Sequence, residues 1–287
     1  MINAPVSISS LLSAARPTIS FEFFPPKDVS GFETLRTSFA ELQRFNPDFV
    51  SVTYGAMGSN QESSLAVVKE LSSKVPTIAH LTCIGATETN IQTLLSEYSQ
   101  AGVAAILALR GDTPKDFVGN PLGDFQTAND LVQFVQGSSF EVGVSAFPEK
   151  HPESPTLAHD LAVLKIKQES GASFAMTQLF FDIDAYFELV SAARLAGITI
   201  PIVPGLMPIA NAKQVLRMAD MSGANIPGHL VEQLNSAADD DAARNIGMNF
   251  SVELAKGLLS GGAPGLHIFT LNHHRATAEL IETAGLA

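Results

Sequence analysis

The sequence has little of what marks several large classes of protein. Cys83 is its one cysteine in 287 residues, which leaves no disulfide framework and no thiolate metal cluster. A reducing, cytoplasmic setting is therefore the expectation. Basic side chains are scarce: 17 Lys and Arg face 29 Asp and Glu, a formal net charge of -12. Nucleic acid and anionic membrane both select basic patches, so neither is expected as a partner, although small anions can still bind locally. No apolar run reaches the roughly 18 residues of a membrane span. Residues 1–17 contain Ser10-Leu11-Leu12-Ser13-Ala14-Ala15 but no basic n-region, only Arg16. They read as an arm or short helix, not a targeting peptide. His267, His273 and His274 have no carboxylate at ligand spacing, and no metal is expected.

Hydrophobic residues make up 46% of the chain, enough for a full core. Strand-like apolar runs fall at 18–24, 48–54, 77–82, 104–109, 141–146, 173–178, 200–203 and 266–270, with helical patterns between them. Gly102, Gly171 and Gly197 stand where helix C-caps belong, and Asp239-Asp240-Asp241 marks a helix start. Eight β-then-α units imply a parallel sheet and predict an α/β fold, a (β/α)8 TIM barrel. One catalytic domain over 1–287 is expected, with extra helices between strands 7 and 8. A doubly wound open sheet is the alternative, but no Gly-x-Gly-x-x-Gly follows the first strand.

The first strand holds the most unusual residue. Glu22 lies within Ser20-Phe21-Glu22-Phe23-Phe24, and Pro25-Pro26 ends the strand because neither residue can donate to a ladder. An unpaired buried carboxylate costs several kcal/mol, on the order of an isolated buried ion, so Glu22 is paired, neutral or at work. Barrel enzymes carry their chemistry at the C-terminal ends of the strands. Those ends supply Thr53-Tyr54-Gly55-Ala56, His80 and Thr82, Arg110-Gly111-Asp112, Phe147-Pro148-Glu149-Lys150-His151, Thr177-Gln178, Pro204-Gly205 and Thr270-Leu271-Asn272-His273. His80 is as consistent with a satisfied core histidine as with a ligand contact. Arg110 and Asp112 could equally form a surface pair, and Phe23, Phe24, Phe180 and Phe181 fit a core. The residues alone lead to a barrel enzyme with carboxylates at Glu22 and Asp112 and an amide at Gln178. Two carboxylates in different surroundings can hold different pKa values. Substrate and reaction stay open at this point.

From Ile19 to Ala278 the chain resembles bacterial-type methylenetetrahydrofolate reductase. The similarity is carried in order by Phe21-Glu22-Phe23-Phe24-Pro25-Pro26, Ser51-Val52-Thr53-Tyr54-Gly55-Ala56, His80-Leu81-Thr82-Cys83, Leu109-Arg110-Gly111-Asp112, Pro148-Glu149-Lys150-His151-Pro152-Glu153 and Thr177-Gln178-Leu179-Phe180-Phe181-Asp182. The resemblance implies a flavin-dependent barrel. In it NADH or NADPH reduces FAD, and hydride then passes to 5,10-methylenetetrahydrofolate, giving the 5-methyl form that supplies methionine synthesis. It implies Glu22 as general acid at the folate N10, and Asp112 as a residue beside flavin and pterin. Gln178, Gln214, Met218 and His273 become folate or nucleotide contacts, and Thr53 a nicotinamide-nucleotide contact. Tyr54, Ala56, His80, Arg110, Gly111, Asp112, Ala128, His151, Asp160 and Lys167 become FAD contacts. Burial among Phe21, Phe23 and Phe24 is expected to raise Glu22 from the ordinary Glu value of about 4.3 towards about 6–7. The chain departs from the enterobacterial pattern at Thr127, Phe147, Val163, Ile166, Met218 and His273; Arg275 could compensate for the last. Alternatives are a flavin-independent reductase of the same family, a non-catalytic folate- or flavin-binding barrel, and a pterin-linked aldolase or synthase barrel. Family members are often oligomers, so a homo-oligomer is compatible with the resemblance.

Overall fold

A computed structural model of the chain describes residues 6–54, 61–112 and 121–286. Its elements in order are α1 (Ile8–Leu12), β1 (Thr18–Phe23), α2 (Val29–Gln43), β2 (Phe49–Val52), α3 (Gln61–Ser72), β3 (Thr77–Thr82), α4 (Glu88–Ala101), β4 (Ala105–Leu109), α5 (Ala128–Gln136), β5 (Glu141–Ala146), α6 (Leu157–Glu169), β6 (Phe174–Thr177), α7 (Ile183–Leu195), β7 (Ile202–Val203), β8 (Gly205–Leu206), α8 (Ala212–Ser222), α9 (Gly228–Asn235), α10 (Asp240–Ser260), β9 (Gly265–Phe269) and α11 (His274–Ala284). The strands follow the order β7-β6-β5-β4-β3-β2-β1-β9-β8, and every pairing is parallel.

The nine strands make eight staves. β7 and β8 belong to one segment interrupted at Pro204, which has no N–H for the ladder. The half before it pairs with β6 and the half after it with β9, so this segment joins the two ends of the sheet. The (β/α)8 barrel expected from the sequence is thus present, with α8, α9 and α10 as the extra helices before the last strand. The expected seventh strand at 200–203 is shorter at its start and continues beyond the proline.

Strand alternation separates two cores. Phe21 and Phe23 face outward and pack with Leu35, Phe39 and Leu42 of α2. Inward positions Phe49, Ile78, Ala105, Leu107, Phe174, Met176 and Val203 form an interior cluster with Ile8 and Leu12 of α1. The N-terminal arm is therefore a helix packed into the barrel interior. Its start is held by Glu141, which accepts from Ser7 Oγ at 2.8 Å and from the backbone of Ile8 and Ser9 at 2.5 and 3.2 Å.

Local signals in the sequence explain the outer helices. Asp28, Thr87, Thr127, Thr156, Asp182, Asn211 and Asp239 cap N-termini through their side chains. Thr127 forms a reciprocal capping box with Asp130. The expected helix start at Asp239-Asp240-Asp241 is α10, with Asp239 as its cap. Among the described residues no helix is long and apolar enough to cross a membrane.

Candidate active site

Parallel register brings four strands to one point inside the barrel. Glu22 pairs in register with Ser51, and Ser20 with His267. Glu22 Oε2 accepts from Ser51 Oγ at 3.3 Å and lies 3.5 Å from His267 Nε2 and 3.6 Å from His80 Nε2. Ser51 Oγ is 3.1 Å from His267 Nε2, and Ser20 Oγ is 2.8 Å from His267 Nδ1. Glu22 is 7% exposed. Its backbone is fixed as well: Thr270 Oγ1 donates to the Glu22 carbonyl at 2.6 Å. The Asn272 amide meets both N–H and C=O of Phe24 at 2.9 Å. Asn272 does this from a left-handed backbone at φ 60°.

This overturns the expected surroundings of Glu22. Phe21 and Phe23 are its neighbours in sequence, but strand periodicity sends them to the opposite face. Its spatial neighbours are two imidazoles and two serines. Desolvation still pushes the carboxyl up, but the His267 hydrogen bond, the charges that His80 and His267 carry when protonated, and Ser51 outweigh it. The net direction is down, not the expected rise. Burial lowers His80 to about 4, against an opposing pull from Glu22. His80 is therefore a neutral imidazole at pH 7, and its Nε2 has no hydrogen-bond partner among the described residues.

Of the expected cofactor contacts, Arg110, His151 and Asp160 are linked to one another through Glu153. Arg110 pairs with Glu153 at 2.5 Å, which raises the guanidinium further. The Glu153 N–H donates to His151 Nδ1 at 3.1 Å, and the His151 N–H donates to Asp160 at 2.7 Å. Lys167 is 8% exposed, and burial lowers it despite the nearby Asp160 charge. Gly111 takes φ 84°, and a Cβ there would meet Ile84 and Thr82 at 2.8 and 2.9 Å. Ala128 is the buried first residue of α5. Tyr54 accepts from Gln61, and burial pushes its hydroxyl up to about 12. The Thr53 N–H donates to the Phe23 carbonyl at 3.0 Å. Ala56 lies outside the described residues.

Other expected residues sit apart from Glu22. Asp112 is exposed after Gly111, and Gln178 is exposed with its backbone N–H on the Ala146 carbonyl at 2.8 Å. No contact joins either side chain to Glu22 among the described residues. Gln214 and His273, with Arg275, line a cavity of about 830 Å³ beyond the ends of β8 and β9, between α2 and α11. Met218 packs partly buried beside Leu179, Phe181 and Val215. Two of the departures have local roles: Thr127 caps α5, and Phe147 meets the His151 ring edge-on at 4.7 Å. Val163 is half-buried on α6, and Ile166 is 50% exposed one residue from Lys167.

The sequence reading missed Ser20, Ser51 and His267 as partners of Glu22. The available signal was alternation, since residues 20 and 22, 51, 80 and 267 are polar inward positions in otherwise apolar strands. A carboxyl, two imidazoles and hydroxyls in one enclosed place can hold and deliver a proton.

A family model described as methylenetetrahydrofolate reductase matches residues 7–285. The chain is 35% identical over 272 residues to the 5,10-methylenetetrahydrofolate reductase of Escherichia coli (strain K12), covering 93% of this chain and 90% of that one. It is 36% identical over 296 residues to methylenetetrahydrofolate reductase (NADH) 1 of Arabidopsis thaliana, covering 97% of this chain and 50% of the plant protein. Among solved structures, an uncharacterized protein from Clostridium thermocellum that binds two copies of 5-methyl-5,6,7,8-tetrahydrofolic acid superposes with TM-score 0.66 at 17% identity. That alignment covers 97% of this chain and 98% of the other. The dihydropteroate synthase of Xanthomonas albilineans superposes with TM-score 0.52 at 12% identity, over 95% and 92% of the two chains. At these identities the structures attest the shared fold.

Proposed function

The chain belongs to the methylenetetrahydrofolate reductase family, and from that premise we propose that it reduces 5,10-methylenetetrahydrofolate to 5-methyltetrahydrofolate with NADH or NADPH, using FAD. The chain acts as one catalytic domain, and its product feeds methionine synthesis. The observation that carries the reading is Glu22, a single carboxyl enclosed at the upper interior of the barrel with a hydroxyl and two imidazoles as its contacts.

The residues present fit FAD. Lys167 is 8% exposed, burial lowers it, and no hydrogen bond or ion pair of its ammonium is found among the described residues. His80 Nε2 is a buried nitrogen with no hydrogen-bond partner among the described residues. A diphosphate-bearing ligand with a polar ring system would answer both needs. Lys167 and Arg110 would hold its phosphates, and His80, His151, Tyr54 and Ala128 its remaining contacts. When bound, FAD supplies a carrier that takes hydride from the nicotinamide and releases it to the folate in alternating half-reactions.

The protein's own residues handle the proton. Glu22 protonates the folate N10, which opens the five-membered ring and leaves an iminium carbon able to accept hydride. Asp112 and Gln178, exposed at the rim, orient the pterin, and Gln214, Met218 and His273 receive the rest of the folate. Thr53 contacts the nicotinamide nucleotide.

An anaerobic absorbance series tests the proposal. Purified protein should show flavin bands that bleach on adding NADH and return on adding 5,10-methylenetetrahydrofolate. NADH oxidation by the folate in flavin-free protein would instead establish direct hydride transfer. In Glu22→Gln, bleaching by NADH should persist while the return of colour slows by about a hundredfold or more, the usual weight of a general acid. Return at the wild-type rate would remove Glu22 from the acid role.

A further inference from the structure

Glu22 presents a conflict. Its surroundings hold it as a carboxylate, yet a general acid needs a proton at the moment of use. The hydrogen bonds around His267 resolve this. Ser20 Oγ donates to the Leu266 carbonyl at 3.1 Å, which can only accept. With the Ser20 proton on that carbonyl, Ser20 offers a lone pair toward His267 Nδ1, 2.8 Å away. His267 Nδ1 must then carry a hydrogen. Any second proton on this ring resides on Nε2, the atom facing Ser51 Oγ at 3.1 Å and Glu22 Oε2 at 3.5 Å.

Ser51 also has one proton. While Glu22 is ionised that proton goes to Oε2, and His267 Nε2, which faces the Ser51 oxygen at 3.1 Å and Glu22 Oε2 at 3.5 Å, donates to the nearer Ser51 oxygen, as imidazolium. Once Glu22 is protonated the directions reverse: Ser51 donates to a neutral His267. Both arrangements satisfy every group and differ only in where one proton sits.

We propose that His267 is the positioning and proton-relay residue of Glu22, holding on Nε2 the proton that passes through the Ser51 hydroxyl to Glu22 Oε2, with Ser20 fixing the required tautomer. This rests on Glu22 being the acid of the reaction. The step balances: His267 Nε2 loses a proton to Ser51 Oγ, and Ser51 gives its own proton to Glu22. Glu22 then delivers a proton to the folate nitrogen. No electron pair leaves the protein, and solvent returns one proton per turnover.

Aromatic rings frame His267: it stacks on Phe49 with centroids 6.1 Å apart and planes at 12°, and it meets Phe269 at 5.7 Å with the planes at 87°. The ring is 1% exposed, so a charge there needs the nearby carboxylate. Among the described residues the titratable groups facing Glu22 are His80 from β3 and His267 from β9. His80 lacks the bridging hydroxyl that His267 has in Ser51.

The test combines nuclear magnetic resonance of the 15N-histidine-labelled holoenzyme with the two half-reactions followed against pH. His267 should keep Nδ1 protonated throughout and change protonation at Nε2 alone; in Ser20→Ala the neutral ring should become a tautomer mixture. His267→Gln should slow the folate half-reaction about a hundredfold relative to the NADH half-reaction. Ser51→Ala, a smaller change in a folded barrel, should slow it about tenfold and displace its pH profile. A neutral His267 carrying its hydrogen on Nε2 overturns the relay. So do a wild-type rate and pH profile in Ser51→Ala and His267→Gln while Glu22→Gln is inactive toward folate. If Glu22→Gln itself reduces folate normally, the acid assignment fails first and the relay falls with it.

Discussion

Two buried nitrogens of opposite demand sit near the ends of the site. His80 is held neutral by burial, with a value of about 4 in the folded protein against 6.5 ordinarily. Between those values the unfolded chain binds a proton that the native protein does not, so stability rises with pH across this window and falls on acidification from about 6.5 to about 4. The His80 contribution to that loss is on the order of 3 kcal/mol. Urea unfolding of wild type and His80→Asn at pH 7, 5.5 and 4.5 should show a shallower acid loss in the variant; parallel curves would mean His80 takes up its proton alike in the folded and unfolded chain. Glu22, whose carboxyl is held low, adds a separate loss only below its ordinary 4.5. Lys167 is the complementary case, a cation that burial disfavours. Lys167→Met should raise the stability of the flavin-free protein by about 1–2 kcal/mol, because an apolar chain of similar length removes the desolvation cost. The same change should weaken flavin retention through gel filtration. Loss of stability without loss of flavin would make Lys167 structural.

Helix α1 shows how an element too short to persist alone is kept in place. Five residues cannot hold a helix in water. Ile8 and Leu12 bury into the barrel interior while Glu141 receives the backbone and hydroxyl donors at its start. Glu141→Ala should cost about 1–2 kcal/mol, the scale of a lost helix cap, and should speed amide exchange at residues 8–12 before the barrel strands are affected. Uniform exchange acceleration would show instead that α1 unfolds with the whole barrel. Much at this scale was legible in the sequence. The order of strands and helices, the caps at Asp239 and Gly102 and the additional helices before the last strand all follow from local periodicity and turn chemistry. What was not legible depends on register and strand parity between distant segments. Phe21 and Phe23 appeared to enclose Glu22 because they adjoin it in sequence, while Ser51 and His267 reach it only after the ring has formed. Pro204 was legible as a break, but that both halves of its segment pair, on different neighbours, is a property of the closed sheet.

At the scale of the molecule, closure depends on very close contact at one residue. A Cβ on Gly205 would come within 2.6 Å of both the Thr177 carbonyl oxygen and the Phe269 ring. Backbone does not yield there, so Gly205→Ala should destabilise by on the order of 2 kcal/mol. Because β8 joins β9 beside His267, it should also shift the pH profile of folate reduction. Full activity with an unchanged midpoint of thermal unfolding would show that the ring tolerates an opening. The remaining consequence concerns traffic. With α1 stopping one end of the barrel, the vessel is a cul-de-sac, and solvent reaches the Glu22 chamber by way of the upper rim. On the proposed reading, a folate lodged at that rim would shut the doorway behind it, each bound molecule would meet only the hydrogen ions already inside, and restocking would wait until the product departs.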